Sequence, residues 1–186
     1  MTVKGTTSMG TWNTRGLRGS TLEDLINHTN DSYREKKLAL IQKIPTPITP
    51  IEIDKGSRHI TLAYFDQKST VDYIGAVQGV PVCFDAKECA ARTFPLQNIH
   101  PHQIKFMEEF EQQGGIAFFI LYFTGMDEMY YLPLKDVEKF WKRMEEGGRK
   151  SFTYDEVDKS WRIRSHRDML VHYLEMIARD LEERQK

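Results

Sequence analysis

Two runs of alternating apolar residues, 69–77 and 80–88, are separated only by Gln78-Gly79. A two-residue link of this kind is typical of a tight β-hairpin turn and therefore predicts one register for the two strands. That register pairs apolar residues along one face: Val77 with Val80, Gly75 with Val82, Tyr73 with Phe84, and Val71 with Ala86. A slip of one residue would turn every side chain to the other face, so this hairpin is the strongest constraint on the fold.

The opposite face of the hairpin pairs Asp72 with Asp85 and Thr70 with Lys87. Like charges at directly opposed positions destabilise a sheet, since the Cβ atoms lie about 4.5–5.5 Å apart. Either one carboxyl group is protonated or a cation lies between the two. Hard oxygen ligands favour Mg²⁺, Mn²⁺ or Ca²⁺ over zinc. A structural ion pair of Asp85 and Lys87 with partners elsewhere is the alternative.

Three further polar residues are candidates for the same site. Lys87 follows Asp85 by one pleat on the same face, where an ammonium group can stabilise charge at phosphorus or hold a water. Gln103 lies on the apolar stripe of a predicted helix, where an unpaired amide is costly and a metal or metal-bound water would satisfy its oxygen. Glu23 borders the inner stripe of the first predicted helix. A backbone contact for Gln103 and a helix-start charge for Glu23 are the simpler interpretations.

The remaining pattern predicts one domain with alternating helices and strands. Residues 21–36 predict a helix that begins at Ser20 or Thr21, and the apolar run 116–123 predicts a central strand covered on both faces. The prolines after residue 44 predict an extended two-armed projection over about 45–66, with Lys55 and Arg58 at its tip; a surface hairpin is the alternative. Further helices are predicted at about 101–113, 134–146 and 168–184.

Length and composition bound the class of protein. The 186 residues suit a single domain, here 21–186, preceded by an arm over 1–20 that is rich in Gly, Thr and Ser. No apolar run is long enough to span a bilayer, and two cysteines fit a reduced, cytoplasmic protein. The net charge is −1, but residues 1–60 carry 9 Lys and Arg against 6 Asp and Glu, so any polyanion is expected on that side.

The spacing of Asp72 from Asp85-x-Lys87 matches the PD-(D/E)xK nuclease signature, which is weak alone. Other segments occur in order around it: Arg15-Gly16, "LEDLINHTN", "KIPTPI", "AYFDQKSTVDYIG", "FDAKE", "FPLQNIHPHQIKFM", "GGIAFFI" and "GRKS". Together they closely resemble the RecU family of Holliday junction resolvases from low-GC Gram-positive bacteria and their phages. The resemblance extends from about Arg15 to about Ser151, and Asp85 stands where many relatives carry glutamate.

The resemblance implies a restriction-endonuclease-like α/β fold, with a mixed central sheet flanked by helices and a proline-rich β stalk. It implies a metal site of Thr70, Asp72, Asp85 and Gln103, with Lys87 as the transition-state lysine and Glu23 as the acidic residue of the first helix. It further implies a homodimer that acts on four-way DNA junctions and binds a RecA-type recombinase in the cytoplasm of a bacterium or of a phage host.

These observations predict a Mg²⁺-dependent endonuclease, with Mn²⁺ as a substitute, that resolves Holliday junctions by paired symmetric nicks in recombination and repair. Contacts to DNA phosphates are expected from five cations: Arg15, Arg18, Lys43, Lys55 and Arg58. Two alternatives stay open. One is a related nuclease acting on other branched or duplex DNA, and the other is a non-catalytic junction-binding modulator of a recombinase.

Overall fold

Six strands form one mixed sheet in the computed structural model, which describes residues 21–65 and 70–185. The described residues contain these strands in all: β1 (Leu40–Lys43), β2 (Ile48–Ile53), β3 (Ile60–Phe65), β4 (Tyr73–Val77), β5 (Val80–Cys89), β6 (Thr93–Pro95), β7 (Ile116–Phe123), β8 (Glu128–Pro133), β9 (Ser151–Thr153) and β10 (Arg162–Ile163). Strands β2 and β3 form a separate two-stranded sheet, and so do β6 and β9. The helices are α1 (Leu22–Glu35), α2 (Pro101–Gln112), α3 (Leu134–Glu145) and α4 (Leu174–Arg184). The sheet order is β1-β4-β5-β7-β8-β10, with β5 and β7 parallel and the other pairs antiparallel.

The hairpin of β4 and β5 has the predicted register. Tyr73 pairs with Phe84, Gly75 with Val82 and Val77 with Val80. Gln78 and Gly79 both have positive φ, at 47° and 93°, as a tight two-residue turn requires. The ladder begins only at Tyr73, because the chain bends at Asp72, and the buried Val71 joins the core on the other side of the sheet from Tyr73. The predicted pairing of Val71 with Ala86 was therefore wrong.

A row of stacked aromatic rings crosses the sheet and fixes this register. Phe84 stacks on Tyr73 at 4.7 Å and on Phe118 at 4.8 Å between ring centroids. Phe118 in turn stacks on Tyr131 at 4.3 Å, and Tyr131 on Trp161 at 5.3 Å. Aromatic cross-strand pairs add stabilisation beyond the area they bury, so four neighbouring strands are held in one alignment by this face.

The sheet separates two hydrophobic core layers. One layer lies under α1 and the start of α4, and includes Phe84, Phe118 and Ile120. The other lies under α2 and α3, and includes Cys83, Phe119 and Leu121. Strand β7 is thus buried on both faces, as its continuous apolar run predicted. This sheet with helices on both sides confirms the predicted mixed α/β architecture.

The helix boundaries follow the sequence signals except at α4. Thr21 caps α1, and Gly114 and Gly147 follow α2 and α3 with positive φ. Helix α4 begins at Leu174 rather than near Asp168, because His166 and Met169 form a bridge and the Val171 N–H donates to Thr29 Oγ1 at 3.0 Å. None of the described helices is long and apolar enough to cross a membrane.

The predicted proline-rich projection is a separate two-stranded ribbon of β2 and β3. Most of its residues are exposed, including Ile51, Leu62 and Phe65. The turn between the strands carries Lys55 and Arg58, and Arg58 has a φ of 59°. The ribbon is therefore a separate sheet with Lys55 and Arg58 in its turn, an arrangement that suits either a stalk or a surface hairpin.

We predict that Gly75→Ala destabilises the fold. A Cβ atom at Gly75 would lie 2.1 Å from the Leu40 carbonyl oxygen and 2.8 Å from Ile41 Cα, and both are backbone atoms of β1 that can move only if the sheet separates. Overpacking of this kind typically costs about 1–3 kcal/mol, which chemical denaturation would detect. Gly56→Ala at the ribbon tip is the matched control, since its Cβ atom would meet only Asp54 oxygens at 3.7 and 3.8 Å. Equal stability of the two variants would contradict the prediction.

Candidate active site

Asp85 is a buried carboxylate in the middle of the sheet. Its side chain has 0% exposure, although it lies on β5 between β4 and β7 among apolar neighbours. Three donors surround it: the Asp72 N–H at 3.1 Å from Oδ1, Gln103 Nε2 at 2.9 Å from Oδ2, and Lys87 Nζ at 2.5 Å from Oδ2. A charge in this position needs such partners, because burial without them costs several kcal/mol.

Asp72 lies beside Asp85 and is bound in a reciprocal way. The N–H of Ala86 donates to Asp72 Oδ2 at 2.9 Å, while the N–H of Asp72 donates to Asp85 Oδ1. The Asp85 carboxylate therefore binds the backbone of Asp72 itself, and the Asp72 carboxylate binds the backbone of the residue after Asp85, where the β4–β5 ladder ends. The adjacency predicted from the hairpin register is present, although it is made by side chains rather than by a ladder pair.

The surroundings of Asp85 raise the pKa of its carboxyl group from 3.8 to about 7. Burial is the largest cause, and Lys87 opposes it, while the neighbouring Asp72 adds to it. Two carboxylates this close favour either a shared proton or a cation. The Lys87 ammonium group meets part of this need in the structure, since it contacts Asp85 Oδ2.

Lys87 lies at the solvent side of this pair. Its side chain is 20% exposed and its ammonium group contacts Asp85 Oδ2. The residue alternates with Ala86 along β5, so it shares the face of Asp85 as predicted. An ammonium group here can donate to a phosphate oxygen or orient a water molecule.

Gln103 is buried in the first turn of α2, where its amide has two partners. Its Oε1 accepts from the His100 N–H at 3.0 Å, and its Nε2 donates to Asp85. The predicted interaction was a metal or a metal-bound water at the oxygen. In the structure, that oxygen instead accepts from the backbone at the start of α2, and the amide nitrogen donates to Asp85.

Glu23 and Lys43 form an ion pair with each other near the same end of the sheet. Lys43 pairs with Tyr73 in the β1–β4 ladder, and the next residue, Ile44, donates its N–H to the Asp72 carbonyl oxygen at 2.7 Å. Glu23 thus lies near Asp72 without a hydrogen bond to it. Thr70 is half-buried in the bend before Asp72.

The other predicted DNA contacts are distributed away from this centre. Lys55 and Arg58 lie in the exposed ribbon tip, and neither forms an ion pair with any described residue. Arg15 and Arg18 lie outside the described residues. The carboxylate pair, Lys87 and Gln103 are therefore the predicted site residues that the fold brings together.

The donor set fits a hard divalent cation. No group of three or more His, Cys, Asp and Glu is placed to hold a metal within residues 21–65 and 70–185. Asp72 and Asp85 nevertheless offer oxygen ligands of the kind that hard divalent cations prefer, and waters and phosphate oxygens commonly complete such shells. Asp72 and Asp85 are the residues that would hold the ion.

Glu88 is a residue of this region that the sequence did not single out. Its Oε1 accepts from the N–H of Leu22, the first residue of α1, at 2.6 Å. The two residues are 66 positions apart, so no local pattern relates them. Only the packing of α1 against β5 reveals the contact.

Comparisons with known proteins place the chain in a family. The family model for RecU, "Recombination protein U", matches residues 17–179. The protein named Holliday junction resolvase RecU from Leuconostoc mesenteroides is 42% identical over 172 residues, covering 90% of this chain and 83% of the relative. Its namesake from Geobacillus kaustophilus is 44% identical over 146 residues, covering 76% and 73%. A solved Holliday junction resolvase, Archaeoglobus fulgidus Hjc, is 10% identical with a TM-score of 0.33, over 59% of this chain and 71% of that one.

We predict that Asp85→Asn stabilises the metal-free protein at high pH. The pKa of this carboxyl group is raised in the fold, so its favourable contribution is fully present below 3.8 and is lost as the pH rises through about 7. In EDTA, the Tm of the Asn variant should exceed that of the wild type at about pH 8, with a smaller difference at about pH 5.

Asp31→Asn, on the exposed side of α1, is the control for this measurement and should leave the Tm nearly unchanged. A wild-type Tm that rises relative to Asp85→Asn as the pH increases would show that the folded state favours the ionised carboxylate.

Proposed function

The chain belongs to the RecU family, and we propose that it is a Holliday junction resolvase that cuts four-way DNA junctions with a divalent metal ion at Asp72 and Asp85. The observation that carries the proposal is the pairing of these carboxylates: Asp85 accepts from the Asp72 N–H and contacts Lys87, and Asp72 accepts from the Ala86 N–H. Family membership indicates the substrate, since relatives that are similar over most of the chain are named Holliday junction resolvases.

Mg²⁺ is the proposed cofactor, with Mn²⁺ as a substitute, because the donor set consists of carboxylate oxygens. A divalent ion at this position polarises the scissile phosphate and lowers the pKa of a bound water. Asp72 and Asp85 hold the ion, and Thr70 completes the set expected from the resemblance. Gln103 orients Asp85 through its amide nitrogen, so its contribution to the metal is indirect unless its oxygen leaves the His100 N–H.

Lys87 has the role of stabilising the transition state. A cation held by Asp72 and Asp85 would weaken the attraction between the Lys87 ammonium group and Asp85, so that the ammonium group could donate to a phosphate oxygen. Its partial exposure leaves it open to a DNA strand. Negative charge that develops on the phosphate oxygens is then met by a fixed donor.

The proposal extends to assembly and to DNA contacts. A homodimer would supply two sites for paired nicks. The same family resemblance suggests a RecA-type recombinase as a partner and the cytoplasm of a bacterium or of a phage host as the location. Lys43, Lys55 and Arg58 are the described cations proposed to contact phosphates. Arg15 and Arg18 keep this proposed role.

The central experiment compares cleavage of a four-way junction with that of a linear duplex in Mg²⁺. We expect the wild type to cut the junction, and Asp72→Asn and Lys87→Ala to lose cleavage by at least about a hundredfold, because both remove groups at the reacting phosphate. Junction binding without cleavage, measured in Ca²⁺, should be nearly unchanged. Lys142→Ala is the control for loss of a lysine, since its side chain is 77% exposed on α3.

Three outcomes would contradict the proposal. Wild-type cleavage rates in either site variant would show that the site is misassigned. Equal cutting of duplex and junction would favour a nuclease for general DNA, and no cutting in any divalent metal would favour a non-catalytic junction-binding protein.

We also predict that Lys55→Ala and Arg58→Ala together weaken junction binding through phosphate contacts. The two cations lie in the exposed ribbon tip without an ion-pair partner among the described residues. Loss of two phosphate contacts should lower the slope of log K against log salt by about 2. The double variant Lys139→Ala, Lys142→Ala on α3 removes the same charge as a control, and an equal change in its slope would show a general charge effect.

A further inference from the structure

Glu88 ties the start of α1 to the strand that carries the candidate active site. It follows Lys87 on β5, and its side chain lies on the opposite face, since side chains alternate along a strand. Its Oε1 accepts from the Leu22 N–H at 2.6 Å. Leu22 is itself buried in the core layer under α1.

The sequence of α1 does not supply this contact on its own. Thr21 and Asp24 form a capping box, in which Thr21 Oγ1 accepts from the Asp24 N–H at 3.3 Å and Asp24 Oδ2 accepts from the Thr21 N–H at 3.0 Å. The box does not provide an acceptor for the Leu22 N–H, which instead donates to Glu88 on β5. A carboxylate at a helix N-terminus is favourable because it complements the helix dipole and forms a charge-assisted hydrogen bond.

The contact holds the backbone of α1 one residue before Glu23. The Glu23 carboxylate pairs with Lys43 on β1, beside the strand end that binds the Asp72 carbonyl oxygen. Glu23 and Glu88 also line one open pocket of about 260 Å³ with Thr21, Leu22 and Ala86. Ala86 is the residue whose N–H binds Asp72.

We infer that Glu88 is a positioning residue for the cleavage reaction, which holds the first turn of α1 so that the Glu23 carboxylate stays at a fixed place beside Asp72. The inference rests on the proposed nuclease function and on a contribution of Glu23 to cleavage. Glu88 itself touches neither the metal ligands nor the reacting phosphate. Its effect on the reaction therefore passes through Glu23.

The first test separates positioning from helix stability. Glu88→Ala removes the acceptor for Leu22, and its kcat for junction cleavage should fall about ten- to a hundredfold, because a shift of about 1 Å at a reacting group can cost that much. The Kd for the junction in Ca²⁺ should be unchanged. Glu88→Gln keeps an oxygen acceptor and should retain cleavage within about threefold.

Thr21→Ala is the matched control. It removes the cap that α1 makes within itself and leaves the tie to β5, so it should lower the Tm while cleavage stays within about threefold of wild type. A loss of cleavage in Thr21→Ala equal to that in Glu88→Ala would reduce the role of Glu88 to helix stability and overturn the inference. So would wild-type cleavage in Glu88→Ala, or an equal loss in Glu88→Gln.

The second test asks whether the effect passes through Glu23. Glu23→Gln should reduce cleavage, and adding Glu88→Ala to it should cause little further loss, because coupled residues are not additive in a double-mutant cycle. Additive losses, or wild-type cleavage by Glu23→Gln, would overturn the inference. Hydrogen exchange of the Leu22 amide should be faster in Glu88→Ala than in the wild type, which checks the contact directly even if that variant is less stable.

The failure of this inference can be told from the failure of the proposed function. If Asp72→Asn is inactive and Glu88→Ala cuts normally, only the role of Glu88 is wrong. If Asp72→Asn still cuts at the wild-type rate, the proposed site itself is wrong, whatever Glu88 does.

Discussion

The register of the β4–β5 hairpin is the constraint on which the rest of the structure depends. It stacks Phe84 between Tyr73 and Phe118 on one face, and by alternation it directs Asp85 to the other. The same alignment therefore builds the aromatic core and brings two carboxylates together. A slip of one residue would move the ring of Phe84 to the layer under α2 and α3 and turn Asp85 away from its partners, so the packing of the core and the geometry of the site cannot be varied independently.

The stability of the fold and the chemistry of the site make opposite demands on Asp85. A buried carboxylate with a raised pKa weakens the metal-free protein at neutral pH, and an uncharged residue of similar shape would remove that cost. In the proposed function, the charge serves to bind a divalent cation. Lys87, Gln103 and the Asp72 N–H hold the carboxylate in the metal-free protein. In the proposed function, Lys87 would exchange this contact for one with the substrate.

The parts of the structure that could be predicted from the sequence are those encoded by local pattern. Gln78-Gly79 and the alternation around it determined the hairpin register, and the apolar run of β7 indicated a strand buried on both faces. The start of α4 was mispredicted because the helical spacing of Met169 and Leu170 also suits a buried turn that packs on α1. The contact of Glu88 with Leu22 could not be found, since it joins two elements through the tertiary fold and neither residue stands out in its own segment.

A net charge of −1 is compatible with DNA binding because charges act over short distances. At physiological ionic strength the screening length is about 8 Å, so a phosphate responds to the nearest few side chains and hardly to the sum over the chain. The carboxylates near the site are partly offset by Lys43 and Lys87, and a bound divalent ion would complete the neutralisation. The cations of the ribbon tip lie apart from these acids, in a segment whose exposed side chains contribute little to the core. In the proposed function, the metal site and the ribbon cations Lys55 and Arg58 would each attract DNA locally, although the ribbon also carries Glu52 and Asp54 and the whole chain is nearly neutral.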